Sequence, residues 1–181
     1  AMSSCVPGLP TIEMSTMPGI NLVEATEKHS FNFYLYWMDA NFIPTIQMQL
    51  AAGDNFISES ENPERVLVNE EAIRLWGISD AASAVGKKIE LFDKQFEILG
   101  VVKNFHQASA KSPYIPMIFL PTSNFWQMAS IRTQAGDTKA QLAMVKEIYQ
   151  TTFPNSPFEY FFMDQEYDKH YRADEQFQQV F

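Results

Sequence analysis

The sequence predicts an α+β domain whose middle is richer in strand than its two ends. Three observations carry this. Phe31–Trp37 alternates like a strand, Gly86–Val102 reads as a hairpin, and helical periodicity is confined to short stretches that do not repeat as βαβ units.

Taken in order, Pro7, Pro10 and Pro18 with Gly8 and Gly19 favour a short strand and then a loop over the first thirty residues. Phe31, Phe33, Leu35 and Trp37 alternate with Asn32, Tyr34 and Tyr36, as in a half-buried strand with one face to a core. Asp39 can cap a helix running to about Met48, which Pro44 restricts to a first turn or a kink. Gly53-Asp54-Asn55 marks a turn, and Ser58–Glu64 a surface loop.

Val66–Val68 predicts a short buried strand. Asn69 then supplies an N-cap oxygen, Glu70 and Glu71 suit the positive end of a helix to Trp76, and Gly77 ends it. Lys88–Leu91 and Gln95–Val102 predict a hairpin turning at Asp93-Lys94. Beyond a loop over Ser109–Pro116, the apolar run Met117–Leu120 predicts a fully buried strand, with Met128–Thr133 beside it.

The Thr138/Gln141 spacing is that of a capping box, opening a helix to Thr151 with Leu142, Val145, Ile148 and Tyr149 on one stripe. Pro154 stops it. Phe158–Phe162 reads as a strand, and Asp164 can cap a final helix carrying Tyr167, Tyr171, Asp174 and Phe177. Phe153, Phe158, Tyr160, Phe161 and Phe162 are expected to pack in a core. Strand alternation must still turn one aromatic outward, which makes Phe161 the candidate for contact with a partner.

At 181 residues, 46% of them hydrophobic, the chain can fold as one domain or as two subdomains sharing a core. A formal charge of −9 with no Lys/Arg block argues against a nucleic-acid partner. Cys5 is the single cysteine, excluding an intrachain disulfide and a cysteine zinc cluster; it reads as a small apolar filler near the terminus. Ala1 ahead of Met2 reads as a cloning remnant on a segment cut from a longer chain. No apolar run here reaches the ~18 residues of a membrane span.

The sequence contains no phosphate-binding glycine loop, no nucleophile elbow and no helical zinc pair. His106 at a strand end is the best candidate for a base or ligand. Its plainer role is a ring hydrogen bond that fixes the following loop. Asp164, Glu166, Asp168 and His170 do not converge on a helix and lack the glycine of a calcium loop. The expectation is therefore no enzyme, no metal and no cofactor.

Val66-Leu67-Val68-Asn69-Glu70-Glu71-Ala72 with Ile73–Gly77, Gly86-Lys87-Lys88-Ile89, Phe96–His106 and Pro116 follow one another as in MacB-like periplasmic domains. Gly53-Asp54-Asn55-Phe56 resembles a further turn of that family, with Asp54 in place of its usual basic residue. Phe153–Asp164 resembles the closing block of FtsX-like permeases of Bacteroidetes type. The resemblance covers about residues 50–181.

It implies the extracytoplasmic domain of an ABC-transporter permease on the periplasmic face, anchored by membrane helices outside these residues. It further implies a discontinuous porter-like α/β sandwich (1–50 and 113–181) with an inserted, β-rich, sabre-like subdomain (51–112). The implied partners are a cytosolic ATPase, a second permease copy, and an unidentified periplasmic substrate or protein. ATP-driven motion would pass through the last helix, around Tyr167, Tyr171 and Phe177, and reorient the two halves. The alternative is a free-standing periplasmic ligand- or protein-binding domain.

Overall fold

The computed structural model describes residues 1–58, 64–109, 111–121, 125, 127–166 and 168–169. Its strands are β1 (Met2–Ser3), β2 (Ser15–Pro18), β3 (Asn32–Met38), β4 (Leu50–Gly53), β5 (Arg65–Asn69), β6 (Lys88–Leu91), β7 (Lys94–Val102), β8 (Met117–Pro121) and β9 (Met128–Ala129). The α-helices include α1 (Phe42–Ile46), α2 (Glu70–Leu75), α3 (Ala81–Ala84) and α4 (Thr138–Thr152), and residues 163–166 are also helical. The class is α+β, as the sequence predicts.

One mixed sheet runs β4-β7-β5-β8-β3-β1-β9, with β6 alongside β7 and β2 alongside β3. β5 pairs parallel to β7 and antiparallel to β8, through Leu67 opposite Phe119 and Val68 opposite Ile118. β3 pairs parallel to β8. Strands from 51–112 and from the flanks therefore share a single hydrogen-bonded ladder at β5–β8.

Period-two alternation sorts side chains onto two cores. Phe33, Leu35, Trp37, Val66, Val68, Ile118 and Leu120 lie on one face with Ile73 of α2 and Ile89 of β6. Tyr36, Met38, Leu67, Met117 and Phe119 lie on the other, beneath the N-terminal segment with Cys5 and Val6 and beneath Phe42 and Ile43 of α1. The expected half-buried character of β3 is corrected: Phe33, Tyr36 and Met38 are all fully buried, because β3 is an interior strand covered on both faces. The buried Tyr36 hydroxyl donates to the Cys5 carbonyl at 2.6 Å, so the N-terminus is docked rather than frayed.

Asn69 and Gly77 bound α2 as expected. Asn69 Oδ1 accepts the Ala72 amide, and Gly77 at φ 74° closes the C-terminus with Ile78 N donating to Ile73 O. Asp39, in contrast, does not cap α1 with its side chain. Its Oδ2 accepts the Met2 amide at 2.8 Å, while Asn41 occupies the cap position and the helix stops at Ile46.

The β6–β7 hairpin turns at Phe92-Asp93, one residue earlier than expected, both at positive φ; Leu91 sits opposite Lys94. That is the two-residue turn whose twist matches the strands. α3, absent from the sequence reading, is capped by Asp80, whose Oδ2 accepts the Ser83 amide. At β4–β7 the backbones approach too closely for side chains: a Cβ on Gly100 would lie 2.6 Å from the Asp54 carbonyl oxygen.

Three expectations about the C-terminal part are corrected. β9 pairs with β1 and is separated from β8 by β3 and β1, and it spans only Met128–Ala129. α4 is capped by Asp137 rather than Thr138: Oδ1 accepts the amides of Lys139 and Ala140, and the Gln141 side chain donates to the Gln134 carbonyl. Residues 158–162 form no strand, because no neighbouring strand is placed to pair with them.

Candidate functional site

Two places combine exposure with organised chemistry. The first is the end of the chain from α4 onward. α4 has no buried residue although its sequence is amphipathic, and Met144 and Ile148 are 58% and 60% exposed. The aromatics that follow form a ladder: Tyr149 lies 5.2 Å from Phe153 and 5.3 Å from Phe158, Phe158 lies 5.6 Å from Tyr160, and Tyr160 lies 5.7 Å from Phe162. These distances suit offset or edge contacts between rings.

The expected core packing of these aromatics is therefore overturned. Phe153 and Tyr160 are more than half exposed, and Phe161 is exposed as well. Among the described residues the rings contact one another, and Phe158 and Phe162 are half-buried. Phe161 faces solvent, as its candidate role requires. Tyr167, Tyr171 and Phe177, the candidate coupling positions, lie outside the described residues.

The second place is a polar clamp under the residues that carry the family resemblance. Besides capping α2, Asn69 Oδ1 accepts the Met117 amide at 2.9 Å and Nδ2 donates to the Ile115 carbonyl at 2.8 Å. Beside it, Glu70 Oε2 accepts the Asn104 amide while Asn104 Oδ1 accepts the Glu71 amide, at 2.7 and 2.9 Å. The Asn69-Glu70 and Lys103-Asn104 motifs thus join β5, α2, the end of β7 and the start of β8. Nothing in this arrangement is nucleophilic; it is a joint.

His106 takes the plainer role. Its Nδ1 donates to the Ser112 carbonyl at 2.9 Å, and its ring lies 4.5 Å from that of Tyr114, closing the loop that leads to β8. Asp164, Glu166 and Asp168 form no metal-binding group of three among the described residues, and Glu166 pairs instead with Lys169. Burial pushes the Cys5 thiol from 9.0 up to about 11, with the Glu13 charge adding to the rise, while a backbone hydrogen bond at Val6 and the Gln107 amide pull the other way. Such a thiol is a packing group rather than a nucleophile.

Sequence reasoning missed Asn21, Asn104 and Gln107. Asn21 is buried and folds the loop over 19–31: its side chain donates to the carbonyls of Gly19 and His29 and accepts the His29 amide. Lys28–Glu90 and Lys87–Glu24 ion pairs then tie that loop to β6 and its approach. Gln107 Nε2 donates to the carbonyls of Val6 and Leu9. The signal common to all three is a lone amide side chain in an otherwise apolar or loop context.

The geometry is that of a two-core mixed sheet stapled by amide side chains, with an exposed helix and an aromatic ladder at one end. The MacB-like periplasmic core domain family matches residues 8–149, and the chain belongs to that family. It is thus a periplasmic domain of the kind found in MacB-like ABC-transporter permeases.

Among solved structures, the periplasmic region of MacB from Actinobacillus actinomycetemcomitans is similar at 15% identity and TM-score 0.48, over 80% of this chain and 75% of that one. A domain assigned to a permease protein of Porphyromonas gingivalis is similar at 15% identity and TM-score 0.50, over 83% and 81%. The extracellular domain of the noncanonic ABC-type transporter YknZ from Gram-positive bacteria is similar at 10% and 0.42, over 78% and 58%. At such identities the likeness concerns the fold. No curated protein matches the sequence.

Proposed function

We propose that this chain is the non-enzymatic extracytoplasmic domain of an ABC-transporter permease, anchored by membrane helices outside these residues. In this reading it passes ATP-driven motion, generated by a cytosolic ATPase, to a periplasmic substrate or partner protein. The observation that supports it most is the contrast between a stiff sheet and an uncovered end. A lever needs a body that does not yield and a surface that makes different contacts in two states.

The porter-like segments (1–50 and 113–181) and the sabre-like insertion (51–112) remain useful as halves of one body. Their shared β5–β8 ladder, the Asn69 joint and the 19–31 loop favour motion of both halves together over reorientation of one against the other. Motion would enter through the residues after Asp164, at Tyr167, Tyr171 and Phe177. Contact with a partner, or with a second permease copy, would use Phe161 and the ladder around it.

Reading the native chain on both sides for apolar spans of about 20 residues separates this proposal from a free-standing binding domain. Flanking spans support the permease; their absence overturns it. Within the assembled transporter, joining Lys28→Cys to Glu90→Cys with a short bifunctional cross-linker is expected to leave ATP turnover unchanged. Loss of turnover would show that the halves must separate.

A further inference from the structure

We infer that the groove between the C-terminal turn of α1 and the end of β7 is a binding site for a small monoanionic amphiphile, a carboxylate on an apolar chain. The groove holds about 370 Å³, within the range of small-ligand sites, and Ile46, Met48, Phe105 and Met163 line its apolar part. Ile46, Met48 and Phe105 are partly buried against the second core, and the Phe105 ring lies 6.5 Å from that of Phe119. Its floor is therefore anchored in the sheet, while the two methionines offer flexible, polarisable walls that suit an unbranched chain.

The groove is built rather than incidental. Gln47 adopts a left-handed conformation at φ 60° where α1 ends, reversing the chain so that Met48 and Gln49 turn into the groove wall. The Lys103 amide then donates to the Gln49 carbonyl, fixing that wall to β7 at 2.8 Å.

The rim decides the class of ligand. Lys103 is the one cation among the residues lining the groove. Its Nζ donates to the neutral Gln49 Oε1 at 3.0 Å, and among the described residues it forms an ion pair with no carboxylate. An ammonium with donors to spare, beside apolar surface on a domain of formal charge −9, is complementary to one negative charge with an apolar tail. One cation in that acidic field does not suit a polyphosphate.

The test uses the domain with methyl-labelled methionines and dodecanoate below its micellar concentration, followed by NMR. The Met48 and Met163 signals are expected to shift in a saturable way while those of the fully buried Met38 and Met117 stay still. Lys103→Gln should weaken binding about three- to tenfold, as for a charge-assisted contact at a solvent-facing rim, and Lys103→Arg should retain it. Because Lys103 is exposed, both variants keep their thermal midpoint.

Dodecanol should bind no better than dodecanoate binds the Lys103→Gln variant. Unmoved Met48 and Met163 signals, equal shifts with dodecanol, or indifference to Lys103→Gln would each overturn the site. Binding of a leucine-terminated peptide in place of dodecanoate would overturn the chain amphiphile in favour of a peptide carboxylate.

Discussion

β3 and the segment 158–162 carry nearly the same sequence signal, aromatic residues on both phases of a period-two pattern, yet they meet opposite fates. β3 lies between β8 and the β1 and β2 strands, its ladder bonds made and both faces covered. Among the described residues, 158–162 have no strand beside them, and their ring contacts are with one another and with Tyr149. Burying a Phe or Tyr side chain is worth roughly 2 kcal/mol, but only where the backbone's own polar groups also find partners. Aromatic alternation is thus a request for neighbours, and topology decides whether it is met.

The largest test of this contrast is at the joint that gives β3 and β8 their surroundings. Asn69→Ala removes three hydrogen bonds at a fully buried side chain and strands the Ala72 and Met117 amides and the Ile115 carbonyl. Each stranded group costs about 1–3 kcal/mol, so a loss of roughly 4 kcal/mol in urea unfolding is expected. A loss below ~1 kcal/mol would show that water replaces Asn69, and that the sheet does not depend on this residue.

Asn69 also shows what was legible. Its capping of α2 spans three residues and follows from local chemistry, so the sequence predicts it; its bonds to Ile115 and Met117 cross more than forty residues and have no local signature. The hairpin was legible in its strands and displaced by one residue at its turn, because Phe92 is not a residue that advertises positive φ. Asp137 outcompeted Thr138 as cap although the Thr138/Gln141 spacing is the better pattern.

The groove was invisible for the same reason as the long-range bonds. Ile46, Lys103, Phe105 and Met163 come from three distant parts of the chain. Phe161 is exposed as expected, but not by alternation, because Tyr160 on the opposite phase is more exposed still. Its companions were misjudged because burial needs a second element that local sequence does not reveal.

An intermediate effect separates the docked N-terminus from the uncovered C-terminal end. With the Cys5 thiol pushed up to about 11, the folded protein holds a proton that the unfolded chain releases near 9.0. The folded state binds more protons between those values. Stability from this group is therefore complete below about pH 9 and lost as pH rises through 11, by about 2–3 kcal/mol. Comparing urea unfolding of the protein and Cys5→Ala at pH 8 and pH 11 should show a steeper decline for the protein. Parallel declines would mean that the Cys5 environment opens to water.

The smallest effect belongs to the ladder. Phe153→Ser with Tyr160→Ser removes two large rings, a change that would cost several kcal/mol in either core. Here both rings are more than half exposed and lie outside either core, so unfolding free energy should move by no more than about 0.5 kcal/mol per site. Binding of a hydrophobic dye should fall at the same time, because the exposed apolar surface shrinks. A loss above 2 kcal/mol would instead place this segment in a packed layer, equate it with β3, and remove the uncovered surface on which the proposed partner contact at Phe161 depends.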